Sequence, residues 1–303
     1  MADLFKDNKL SIASISGAAF GVILILGAIA LGTNNIKAFV SIEGLMIVVG
    51  GSLAVAFMSF QANYVVAALR SIGQMFRKAD VTHENLQQEL INMIAWARIV
   101  KDKGLRGLEN EVGAQVISDP FVRYGLDMVV SNYTPEEVRT MMETAADSYY
   151  ERDTIPAQVL MAMASHAPAF GMVGTLVGMV IMLGNFGSDM SGVGSGLAVA
   201  LLATLYGVVT ARMLYIPAGA KVMQKQEELR FRNYLISEGF SMLVANKTPR
   251  YIQDHLNSYL SPESHYDLDA ARVMTDLAAP KPAAPRTPTL PKPPATPAAR
   301  RTS

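Results

Sequence analysis

Two threonines stand out because of the company they keep. Placed on a helical wheel at about 100° per residue, Ala167, Gly171, Gly174, Thr175 and Gly178 share one narrow face, and Gly196, Ala200, Ala203, Thr204, Gly207 and Ala211 share another. A hydroxyl brings one donor and two acceptor lone pairs to such a face. Two readings follow. Small residues let helix backbones approach closely in lipid, and each hydroxyl then bonds back to its own helix. Alternatively, the small residues leave space for water or an ion, and the hydroxyls line a polar route. Spacing alone leaves both open.

Other chemistry is poorly supplied. The chain has no cysteine, which removes disulfides, thiolate metal sites and cysteine catalysis. Its four histidines are scattered without metal-ligand spacing. His166, beside Pro168, reads as structural, and Glu43 reads as a solvated carboxylate near a membrane boundary. No phosphate loop or nucleophile elbow is present, so the expectation is not an enzyme and no cofactor. Net charge is zero with a pI near 6.9, which gives no reason to expect nucleic acid.

The elements that must position the threonines are membrane spans. Only 17% of the 303 residues are charged and mean hydropathy is +0.24, where a soluble chain carries about 25% charged. A bilayer core needs roughly 20 apolar residues in a helix. Segments 12–31, 40–60, 164–186 and 195–217 meet that length. The first is too long for the apolar core of a signal peptide and is followed closely by the second, so it reads as a retained helix. All Lys and Arg except Lys37 fall before the first span, between the second and third, or from Arg212 onward. That asymmetry predicts cytoplasmic termini and a cytoplasmic central loop. Between Asp153 and Arg212 the sole charge is Asp189, in the link between the last two spans. An ion pathway needs an ionisable group at membrane depth. If ions pass here, another chain supplies it.

The expectation is an all-α integral membrane protein with four transmembrane helices, a helical cytoplasmic domain between helices 2 and 3, and a disordered C-terminal tail. The division is 1–60 (first helix pair), 61–163 (loop), 164–217 (pore-lining pair), 218–261 (cytoplasmic helices) and 262–303 (tail). Within the loop, Thr82 caps a helix with the apolar stripe Leu86, Leu90, Met93, Ile94 and Ala97. Gly104 ends it, and a short acidic helix follows over 108–112. Asp119-Pro120 starts another helix. Thr134 and Glu137 form a capping box for a helix leading to the third span. From Pro280 onward, 8 of 24 residues are proline and none is acidic, a composition that cannot build a core.

The stretch from Ala167-Pro168 to Gly178, then 198–207, then Tyr215-Ile216-Pro217 resembles the MotA/PomA family of flagellar stator subunits. The likeness runs from about residue 10 to 260 and includes the Ile47-Val-Val-Gly-Gly51 segment. It implies a torque-generating subunit of the bacterial inner membrane. Five copies surround two copies of a MotB/PomB-like, peptidoglycan-binding partner whose single helix carries the ion-binding aspartate. It further implies that Thr175 and Thr204 lie beside the ion path, that Pro168 and Pro217 are the functional prolines, and that Lys101 and Glu109 contact the rotor protein FliG.

The match has departures. Asp102 stands where PomA-like chains have a second basic residue, Asn110 replaces an acid, and Ser165 occupies a usually acidic position three before Pro168. Lys101 and Glu109 are otherwise ordinary solvated loop charges. Thr175 is similar to the sodium-type members, and oxygen ligands suit that hard cation, so the transported ion is expected to be Na+ rather than H+. Two alternatives are an ExbB/TolQ-like energy-transducing subunit of the envelope, which usually has three spans, and a non-conducting membrane scaffold.

Overall fold

The computed structural model describes residues 12–33, 36–76, 83–112, 119–131, 133–187, 190–260, 262, 265 and 267. The expected Thr82 cap and the tail beyond 267 lie outside them. The chain divides into two units, Met1–Tyr266 and Asp267–Ser303, and everything below concerns the first. Every regular element among the described residues is helical. Among the described residues, four helices are long and apolar enough to cross a membrane: α1 (Ile12–Gly32), α2 (Ile42–Ser59), and parts of α6 (Pro135–Gly184) and α7 (Met190–Val244). Between them come α3 (Ala62–Gln74), α4 (His83–Val112) and α5 (Pro120–Val130), and α8 (Pro249–Asn257) closes the chain of elements.

The two long helices are continuous where the sequence reading sets divisions at 163/164 and 217/218. α6 runs 50 residues through Pro156 and Pro168. α7 runs 55 residues, with one π-helical turn over Thr210–Tyr215 just before Pro217. A second π turn, Met46–Gly50, interrupts α2. Such turns insert an extra residue without breaking the helix. α6 and α7 pack along each other over most of their length, with α2 and α3 against them. Val48, Ala56, Val65, Leu160, Met163, Ala203 and Tyr215 form the buried core of that layer. α1 lies outside it, with nothing in its apolar window buried.

Local signals in the loop are realised. The stripe Leu86, Leu90, Met93, Ile94 and Ala97 is buried. Gly104 adopts φ 74°, ψ 179°, a region essentially reserved for glycine, and so breaks α4 where expected. Asp119 Oδ1 accepts from the backbone N–H of Phe121 at 2.8 Å. At Thr134, Oγ1 accepts from Glu137 N at 3.3 Å while Glu137 Oε2 accepts from Thr134 N at 2.8 Å, the reciprocal capping box. The bond from Thr134 N, with a second donated by Thr134 Oγ1 to Glu137 Oε2 at 2.9 Å, favours the charged carboxylate and lowers the Glu137 pKa.

Arg232 of α7 ties the loop down. Its guanidinium pairs with Glu89 of α4 and Asp119 at the start of α5, and the Arg232 and Glu89 side chains are only 13% and 16% exposed. Burial opposes the charge on Arg232, but the two carboxylates outweigh it and raise its pKa. Trp96 of α4 also stacks on Phe240 of α7, with ring centroids 5.6 Å apart.

Candidate functional site

The two small-residue faces meet each other. Ala167, Gly171, Gly174 and Gly178 of α6 are buried, as are Gly196, Ala200, Ala203, Gly207 and Ala211 of α7. A Cβ at Gly178 would stand 2.5 Å from Ala200 N and from Gly196 O, and one at Gly196 would stand 2.5 Å from Met182 N. A Cβ at Gly207 would be 2.7 Å from Ala167 O and 3.1 Å from Pro168 Cα. Backbone therefore lies on backbone, and these positions admit no side chain. α2 covers the other flank, where a Cβ at Gly44 would lie 3.3 Å from Ala203 N.

At the edge of this seam the threonines touch. Thr175 Oγ1 and Thr204 Oγ1 are 2.6 Å apart. Thr175 Oγ1 donates within reach of Gly171 O at 3.1 Å and Ala200 O at 3.2 Å. Thr204 Oγ1 reaches Gly171 O at 3.4 Å. The bland reading, each hydroxyl bonded to its own helix, holds for Thr175 only in part, and Thr204 bonds across the seam. Two hydroxyl protons serve one mutual bond and one carbonyl, so oxygen lone pairs remain unfilled. Thr204 is exposed in the single chain and Thr175 is half-buried, which leaves that oxygen cluster on an open flank.

Neutral oxygens of this kind replace part of the hydration shell of a hard cation, but they carry no formal charge. No group of three or more His, Asp or Glu side chains gathers among the described residues. A carboxylate brought against these oxygens would supply the charge that they lack. Among the described residues, the acids nearest in sequence to the spans lie elsewhere. Glu43 is exposed in the first turn of α2, where its Oε2 accepts from Ser41 Oγ at 3.1 Å. Ser165 is exposed and donates to Ala162 O at 2.8 Å. His166 is exposed on α6.

The remaining expected residues fall into separate places. Pro168 abuts Gly207 in the seam, and Pro217 follows the π turn of α7. Lys101 and Glu109 are both exposed on α4, on either side of the Gly104 break. Lys103 and Glu111 are paired across that same break.

The sequence reading missed two tyrosines. Tyr206 OH donates to Phe39 O at 2.6 Å and accepts from Ser41 N at 2.9 Å, clamping the α1–α2 connection two residues from Thr204. Tyr215 OH lies 3.3 Å from Ser52 Oγ, joining the two π-turn helices in the core. The signal was available, since a tyrosine in an apolar span must place its hydroxyl on a partner.

A family model described as the MotA/TolQ/ExbB proton channel family matches residues 114–233. The chain is 30% identical over 262 residues to Motility protein A of Borreliella burgdorferi, covering 86% of this chain and 98% of that one. It is 32% identical over 253 residues to Chemotaxis protein PomA of Vibrio alginolyticus, covering 83% and 96%. The solved flagellar MotAB stator complex from Bacillus subtilis shares the fold with a TM-score of 0.71 at 22% identity, over 87% of this chain and 98% of that one.

Proposed function

Since this chain belongs to the MotA/PomA family of flagellar stator subunits, we propose that it forms the channel-lining part of a stator that couples inward sodium flow to torque. The observation that carries this reading is the contact between Thr175 and Thr204 on the open flank of a backbone-tight seam. The spans forming that seam carry no charge before Arg212. A single-span partner of MotB/PomB type supplies the missing aspartate. Five copies of this chain ring two copies of the partner in the inner membrane, with both termini and the 61–163 loop in the cytoplasm. The 164–217 segment lines the ion path, 1–60 surrounds it, and 218–261 joins the loop in the cytoplasmic body. Lys101 and Glu109 meet FliG there, and Pro168 and Pro217 serve at the inner ends of the path.

The experiment is complementation of a strain lacking this subunit, with swimming measured in sodium and sodium-free media at constant proton-motive force. Swimming that depends on sodium supports the reading, and swimming indifferent to sodium removes the ion assignment. The ExbB/TolQ-like alternative predicts instead an envelope defect with normal motility. The agreement with Motility protein A and PomA over nearly their whole length favours the stator.

A further inference from the structure

α1 approaches α7 at one point and then parts from it. A Cβ at Gly21 would stand 2.6 Å from Met213 Cε. Toward the start of α1, the side chains shrink to Ala18, Gly17 and Ser14, and a cavity of about 450 Å³ opens between them and Met213, Pro217, Ala220 and Gln224 of α7. That size falls among ligand pockets, which span roughly 300–1,000 Å³. Its wall is mostly apolar, but Arg212 and Lys221 also line it and both are exposed. Nine residues of regular helix would set these two about 180° apart. The π turn over Thr210–Tyr215 takes up part of that rotation and brings Arg212 to the same side. Among the described residues neither is engaged in an ion pair.

We propose that this cavity holds an anionic phospholipid of the inner leaflet. Its phosphate lies between Arg212 and Lys221, and the upper part of an acyl chain runs along Gly17, Ala18 and Met213. The reasoning is one of complementary chemistry. An apolar slot opening to hydrocarbon is filled by an acyl chain at little cost, while two unpaired cations at the inner boundary select a negative headgroup. The site rests on the membrane orientation given under the proposed function.

The test is native mass spectrometry of the full-length chain with its partner, titrated with phosphatidylglycerol or phosphatidylcholine of identical acyl chains. The unaltered complex is expected to retain phosphatidylglycerol preferentially. In R212Q/K221Q that retention falls about 30-fold, or about fivefold per basic residue, with phosphatidylcholine unchanged. Ala18→Leu fills the slot and lowers retention with both cations intact. Equal retention of the two lipids by the unaltered complex overturns the proposal, as does unchanged phosphatidylglycerol retention in both variants. A change in copy number with lipid retention unaltered assigns the slot to a second copy and likewise overturns it. Retention is read without ion flow, so its failure leaves the channel reading standing, and a failure of conduction leaves the lipid result intact.

Discussion

The Oγ1 atoms of Thr175 and Thr204 lie 2.6 Å apart although they belong to different spans, 29 residues apart in sequence. The contact exists because Gly171 and Gly174 lie against Ala203 and Thr204 without side chains to hold the helices off. Close backbone packing thus produces the polar cluster.

Removing either hydroxyl should therefore disturb both. Thr175→Val and Thr204→Val are each expected to reduce sodium-dependent swimming, with a stability loss of only about 0.5–1.5 kcal/mol per hydrogen bond lost. Because the hydroxyls share one bond, the double variant should be scarcely worse than the more severe single one. Swimming speed against sodium concentration, alongside membrane abundance, checks this.

The seam itself is testable through its glycines. Gly178→Ala and Gly207→Ala place a Cβ within 2.5 Å and 2.7 Å of backbone, and overpacking of this kind costs about 1–3 kcal/mol. Gly27→Ala meets nothing within 4 Å and should be silent. Thermal stability of the detergent-solubilised complex separates them. Equal stability of all three would remove the close approach of the helices.

Much of this was legible beforehand for identifiable reasons. The apolar runs 12–31 and 40–60 fall in helices Ile12–Gly32 and Ile42–Ser59, each long and apolar enough to cross a membrane, because twenty apolar residues in lipid have few alternatives. Gly104, Asp119 and Thr134 act locally, so their caps and breaks could be read from a few neighbours. What escaped was non-local. The sequence divides at 163/164 and 217/218 by composition, yet α6 and α7 run unbroken through both places. Neither π turn has a composition signal. Arg232 finds Glu89 from 143 residues away, a pairing no spacing rule announces.

That pairing carries a stability prediction. Arg232→Met leaves Glu89 and Asp119 without their shared counterion in a mostly buried setting, and about 3 kcal/mol of destabilisation is expected. Combining it with Glu89→Gln should recover part of the loss. Denaturation of the purified chain and its two variants measures both numbers.

The rotor contact is a separate matter, because Lys101 and Glu109 are exposed and exposed pairs contribute about 0–1 kcal/mol. Reversal of charge at either position is expected to reduce torque while leaving assembly and membrane abundance unchanged. Reversal at Lys103 breaks the pair with Glu111 across Gly104 and should loosen α4 as well. Normal swimming of the Lys101→Glu, Glu109→Lys double variant on an unmodified rotor would dismiss the contact.

The most direct measurement is cation uptake into proteoliposomes containing this chain and its single-span partner, in a form of the partner open to flow. The account predicts inward sodium flux that disappears when the partner's membrane aspartate is changed to asparagine and falls in Thr175→Val. An assembled complex that passes no cation, or one whose flux ignores both changes, contradicts it.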